Sequence, residues 1–208
     1  MKHGLALVLV YGLLCATASA QETARLSDED LSDLARIEDY LNNISTVQAR
    51  FFQISSTGQF AEGEFHLSRP GDLRIEYDPP VPILMVTSGV FLVYYDKELD
   101  QSTHVPLIAT PAGVLVNENV ILNGEGLRVT NISKSANSLR VSVIQADDPL
   151  AGTITLMFSD APLTLRQWTV KDAQGISTEF ALINPRFGIE IDPELFTFDN
   201  TLGTNDRR

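Results

Sequence analysis

Two hydrophobic periods divide the chain. Leu31, Leu34, Ile37, Leu41 and Ile44 recur at helical spacing, which predicts an amphipathic helix. Ser27-Asp-Glu-Asp30 opens it with a serine cap and three acids at the positive end of the helix dipole, and Asn42-Asn43 ends it. From Val47 the period falls to two. Val47, Ala49 and Phe51 begin a succession of short alternating segments: 59–69, 73–77, 83–87, 90–96, 103–107, 127–132, 139–145, 153–159, 163–171 and 176–183. Ser88-Gly89 reads as a hairpin turn. Thr110-Pro111 followed by an apolar run to Val116 predicts one short helix between strands, with proline at its first position. Strands spaced at about ten residues without long helices between them imply an antiparallel sandwich or barrel rather than a parallel α/β fold.

One charge breaks the pattern. In the strand ending at Arg69 the apolar parity runs Phe65, Leu67, Arg69, and Pro70-Gly71 then stops the strand. A guanidinium facing a core stays protonated and needs hydrogen-bond partners, because an unpaired buried charge costs several kcal/mol. Either the layer over the sheet comes to Arg69, or the side chain snorkels from the strand end. If the helices 31–44 and 111–116 cover one face of a single curved sheet, the covered side is lined by Val47, Phe51, Phe65, Leu67, Leu73, Ile75, Phe91 and Val93. Leu34, Ile37, Leu41, Pro111, Val114 and Leu115 then face them from the helices. Such an interior is either a packed core or a cavity. Trp168 shares the parity of Arg166 and Val170, which leaves open whether it lies outside the sheet or under a helix.

Composition supplies the address. Lys2 and His3, the apolar run Leu5–Leu14 and Ala18-Ser19-Ala20 have the form of a secretory signal, which predicts a mature chain from Gln21 to Arg208 as one domain with a loose tail over 200–208. The only cysteine, Cys15, lies in the leader after Leu14, not after the small residue that precedes a lipid-modified cysteine. An exported chain with no mature cysteine fits a bacterial periplasm and excludes thiol chemistry. The net charge of −12 opposes nucleic acid and anionic lipid headgroups as partners. Beyond the leader, His66 and His104 are the only histidines, each within a strand pattern, and nucleophile elbows, zinc-protease motifs and phosphate loops are missing. Asp147-Asp148 before Pro149 reads as a loop acid pair. No cofactor or metal is expected, and no enzymatic activity.

Several short motifs resemble the LolA family of periplasmic outer-membrane lipoprotein carriers. They are Phe51-Phe52-Gln53, Gly63–Leu67 running into Arg69-Pro70, Tyr77-x-Pro79-Pro80, Gly89 followed by Val93-Tyr94-Tyr95-Asp96, Gln101–Pro106 leading to Thr110-Pro111, and Phe196-Thr197-Phe198. The resemblance implies an incomplete antiparallel β-barrel closed on one side by a helical lid, with an acyl-chain cavity between. It also implies cargo taken from an inner-membrane ABC exporter and delivered to a LolB-like outer-membrane acceptor, unless the carrier performs that step itself. Arg69 falls on the family's strand-end arginine, thought to latch the lid. Leu73 stands where better known members have an aromatic, and the chain ends soon after Phe198. A monomer is expected. Half-barrels of this kind also occur in envelope sensors of lipid or lipoprotein signals, the alternative reading.

Overall fold

A computed structural model describes residues 26–107, 110 and 112–198. The expectations for the leader 1–20, Pro111 and the tail 200–208 lie outside the described residues. Eleven strands follow the helix α1 (Asp28–Asn42): β1 (Thr46–Ser55), β2 (Phe60–Ser68), β3 (Asp72–Tyr77), β4 (Ile83–Ser88), β5 (Phe91–Asp96), β6 (Gln101–Pro106), β7 (Leu127–Ser135), β8 (Ser138–Gln145), β9 (Gly152–Asp160), β10 (Leu163–Asp172) and β11 (Ser177–Phe187). The short helix α2 (Ala112–Val116) separates β6 from β7. All neighbouring strands are antiparallel, in the order β6-β5-β4-β3-β2-β1-β11-β10-β9-β8-β7, so the first strand pairs with the last and the curved sheet stays open between β6 and β7. The incomplete barrel is therefore the observed fold.

Helix α1 lies over the inner face with Leu34, Ile37 and Leu41 buried. Its cap is a reciprocal box: the Ser27 hydroxyl accepts from the Asp30 amide at 3.2 Å, and the Asp30 carboxylate accepts from the Ser27 amide at 2.9 Å. Leu31 departs from the expected stripe and is 49% exposed. Asp33 takes the buried place instead, bonded to Lys134 at 3.0 Å and to Arg36 at 2.7 Å, while Arg36 reaches Asp160 at 2.8 Å. The start of α1 is thus tied to β7 and β9 by paired charges. Further along, Tyr40 packs edge-on against Phe158 and its hydroxyl accepts from the Leu165 amide at 3.1 Å.

Register decides which side chains face α1. Phe65 pairs with Ile75 and Leu67 with Leu73, so these four share the inner face. Ile75 pairs with Met85 and Met85 with Tyr94, which carries the inner parity of β5 to Leu92 and Tyr94. Phe91 and Val93 consequently lie on the outer face, against the expectation that they line the interior. Phe91 is 40% exposed; Val93 is fully buried beside its partner Val86. Both parities of β5 are apolar because this half of the sheet is covered twice. The 3₁₀ turn Pro193–Phe196 packs on β3 and β4 from outside, where Arg74 donates to the Leu195 carbonyl at 3.1 Å and Phe198 meets Tyr95 edge-on.

Trp168 is settled by a bulge. The β9–β10 register shifts between Leu165 and Gln167, so Leu165 and Trp168 both point inward despite their opposite parity in sequence.

On the outer face His66 is 4% exposed, and burial pulls its imidazole below the ordinary 6.5, with Glu64 opposing, Arg74 reinforcing and Glu76 opposing. Its Nε2 lies 3.1 Å from the Gln48 amide nitrogen, and its Nδ1 has no hydrogen-bond partner among the described residues. The fold favours the neutral ring, so below pH 6.5 the unfolded chain binds more protons and stability falls as pH drops through that value. The melting temperature should therefore decrease between pH 7.5 and 5.5, and His66→Gln should flatten that part of the curve. An unchanged slope in the variant would rule His66 out as its source.

Candidate functional site

Arg69 follows the last residue of β2, where the strand breaks and the side chain can reach over the sheet's edge to both helices. Nε donates to the Asn117 carbonyl at 3.0 Å, and Nη2 donates to the same oxygen and to the Glu118 carbonyl at 3.1 Å. Nη1 donates to the Leu41 carbonyl, with a longer approach of 3.4 Å to Ile44 O. Leu41 O is among the last carbonyls of α1, where the helix dipole favours a cation, and Asn117 directly follows α2. Burial lowers the guanidinium's pKa from its usual value, yet arginine stays charged. Among the described residues its partners are carbonyl and amide oxygens, without a carboxylate. The result is a charge-assisted clasp that joins the end of α1 to the segment after α2. The strand parity had put the charge at this spot; its partners came from two distant segments.

A second tie escaped the sequence. Asn42, read there only as a helix terminator, pairs with the Val120 backbone in both directions: its amide donates to Val120 O at 3.1 Å and its Oδ1 accepts from Val120 N at 2.7 Å. The Glu38 carboxylate accepts from the Leu122 amide at 2.7 Å. Such pairing needs only an amide or carboxylate on the last turns of a helix, which no local motif distinguishes from a cap. Asn42→Ala should destabilise the segment 117–122 by about 1–3 kcal/mol, since a buried donor and acceptor are left unmade. Faster amide hydrogen exchange at Val120, with strand amides unaffected, would show it; unchanged exchange at Val120 would rule it out.

Beneath the clasp the structure brings together most of the expected interior. Val47, Phe51, Phe65, Leu67, Leu73 and Ile75 from the sheet form one apolar cluster with Leu34, Ile37, Leu41, Val114 and Leu115 from the helices. The space left between Leu41, Val47, Leu67, Arg69, Leu115 and Leu182 is about 20 Å³, room for about one water. In this structure the interior is therefore a filled core, the packed one of the two expectations, and not an open cavity.

A row of rings crosses the inner face next to this core. Tyr77 meets Phe51 edge-on at 5.1 Å, Phe51 meets Phe180 at 6.1 Å, Phe180 stacks on Trp168 at 5.2 Å, and Trp168 meets Phe65 at 5.5 Å. The buried Tyr77 phenol is pushed far above its ordinary pKa by burial, with Tyr94 adding to the shift, so it remains a donor, and it bonds Gln53 Oε1. Gly63 makes room for Phe51: a Cβ there would stand 2.6 Å from the ring.

A family model described as outer membrane lipoprotein carrier protein LolA matches residues 42–199. An outer-membrane lipoprotein carrier protein of Methylococcus capsulatus is 26% identical over 95% of this chain and 95% of its own. One of the same name from Azotobacter vinelandii is 28% identical over 93% of this chain and 95% of its own. Among solved structures, a putative outer membrane lipoprotein-sorting protein domain from Vibrio parahaemolyticus superposes with a TM-score of 0.51 at 12% identity, covering 82% of this chain and 97% of that one. This last likeness concerns the fold alone.

Proposed function

This chain belongs to the LolA family, and from that premise we propose that it is a periplasmic carrier that binds the acyl chains of lipoproteins released by an inner-membrane ABC exporter and brings them to an outer-membrane acceptor. The observation that supports this reading best is the clasp. Arg69 ties the end of α1 to the segment after α2 through carbonyl bonds, each of which can be exchanged for water, so the cover can be held and released. In a carrier, Arg69 holds an apolar interior shut until cargo replaces the helices' own side chains against the sheet.

Magnitudes explain the need for a closed state that competes with cargo. An acyl chain gains about 0.8 kcal/mol per buried methylene, so ~15 methylenes contribute roughly 12 kcal/mol. Three fully buried chains would exceed the ceiling of about 18–21 kcal/mol for non-covalent affinity and would not leave on any useful timescale. Reclosure of the interior around Leu67 and Leu115, together with the Arg69 bonds, supplies an opposing free energy that makes release possible.

A synthetic triacylated cysteinyl peptide tests the site. The protein should bind it, and Leu67→Gln should weaken binding by at least tenfold while unfolding remains cooperative. Phe91→Gln, on the outer face, should leave affinity unchanged. Equal affinity in wild type and Leu67→Gln would mean that the interior is only a core.

A further inference from the structure

The two edges of the open sheet are finished differently. At the β7 edge the Asn123 side chain accepts from the Val129 amide at 3.2 Å, and the Gly124 amide donates to the Leu127 carbonyl at 2.8 Å. The strand is also bulged between Val129 and Asn131, and Lys134 near its end is bound to Asp33. Satisfied backbone groups, a bulge and a lysine are devices that keep an edge from adding a further strand. β6 has none of them. Gln101-Ser-Thr-His-Val-Pro106 contains no Asp, Glu, Lys or Arg in a chain of net charge −12, pairs with β5 in unbroken register, and has no strand beyond it among the described residues.

Register identifies the free groups of β6. The Leu107 amide donates to the Val90 carbonyl at 2.8 Å, so Val90 and Leu107 form a hydrogen-bonded pair. Alternating from it, Leu92–Val105, Tyr94–Thr103 and Asp96–Gln101 are the other hydrogen-bonded pairs. Phe91–Pro106 falls between them, where a residue without an amide hydrogen costs the ladder nothing. The backbone amides and carbonyls of Ser102 and His104 therefore point away from β5, into the gap between β6 and β7. His104 is exposed and Ser102 half-buried.

We infer that the free edge of β6 takes up the cargo's polypeptide, adding the residues that follow the acylated cysteine to the sheet as a further strand. The inference rests on the carrier reading and gives a place to the part of a lipoprotein that is not lipid. Acyl chains held on the inner face leave the adjoining peptide at the sheet's border, because peptide groups need hydrogen-bond partners that an apolar interior lacks. The β7 border is occupied by Asn123 and Gly124. The β6 border offers unpaired donors and acceptors, with Thr103 and Val105 beside them on the inner face opposite Tyr94 and Leu92. Strand addition reads main-chain groups, so it serves lipoproteins whatever their sequence.

Two compounds separate lipid from peptide: a triacylated cysteine amide, and the same cysteine followed by about six uncharged residues, the length of an ordinary strand. The peptide should bind about tenfold more tightly than the amide. It should also slow hydrogen exchange of the Ser102 and His104 amides and leave those of Thr103 and Val105, already bonded to β5, unchanged. His104→Pro removes an outward donor and keeps the β5 ladder, so the melting temperature should hold while the peptide's advantage disappears. Independently of that variant, N-methylation of alternate amides in the peptide should abolish the advantage for one of the two alternating sets and spare it for the other. Equal affinity of the wild type for the two compounds overturns the inference and leaves the carrier reading intact. Binding of neither removes the carrier reading and this inference with it. Protection of Ser102 and His104 that grows with protein concentration in the absence of peptide shows the edge pairing with a second copy of this chain, and overturns the assignment to cargo.

Discussion

Arg69→Leu is expected to load acylated cargo as well as the wild type and to surrender it about a hundredfold more slowly. The substitution acts on the closed, empty form. It removes the donors that reach Leu41 O, Asn117 O and Glu118 O, and leaves those carbonyls beside an apolar side chain whenever the helices settle back. Hydrogen bonds to charged groups contribute about 1.5–3 kcal/mol each, so losing two of them removes roughly 3–6 kcal/mol from closure. A difference of about 3 kcal/mol is already more than a hundredfold in the partition between loaded and closed forms. Transfer of a triacylated peptide from purified carrier to acceptor-bearing vesicles measures this directly. Arg69→Lys should fall between, because an ammonium cannot bridge Leu41 O and Asn117 O with a rigid fork. Wild-type release from Arg69→Leu would remove the clasp from the mechanism, whatever the fate of the binding site.

The expected phenotype depends on a feature half visible in the sequence. Alternation alone put a charge at the inner parity of β2, because a period of two leaves no freedom once Phe65 and Leu67 are inward. The acceptors were not visible, since any helix end offers free carbonyls and only the chain's path brings these to Arg69. The same division runs through the fold. Local period and turn residues revealed eleven strands and both helices. Parity failed at β5, where the covering element is the turn at Pro193–Phe196, about a hundred residues away, so two apolar faces looked equivalent. It was undecided at Trp168 because a bulge adds one residue to the strand without changing its composition. Asn42 and Glu38 were missed for a related reason: their partners are backbone groups, which have no sequence signature.

Gly63→Ala should destabilise the fold strongly for the addition of a single methyl group. The reason is the backbone, not conformational freedom. A Cβ at position 63 would stand 2.1 Å from the Glu76 carbonyl and 2.6 Å from the Phe51 ring. Phe51 could rotate away, but Glu76 O belongs to β3, and β3 is held to β2 around this point by the pairs Gly63–Tyr77 and Glu64–Glu76 and by the bond from the Asp78 amide to the Glu62 carbonyl at 2.9 Å. Relief therefore requires the two strands to separate where Tyr77, Phe51 and Phe180 meet. Overpacking costs about 1–3 kcal/mol even when side chains can yield, and a backbone clash belongs at or above the upper end. For a domain of this size about 3 kcal/mol corresponds to a fall of roughly 6–12 °C in the melting temperature. Phe51→Leu in the same background relieves only the ring contact, so it should restore a minor part of the loss. If the double variant recovered fully, the ring rather than the carbonyl would be the obstacle, and β2 and β3 would have yielded enough to admit the methyl group.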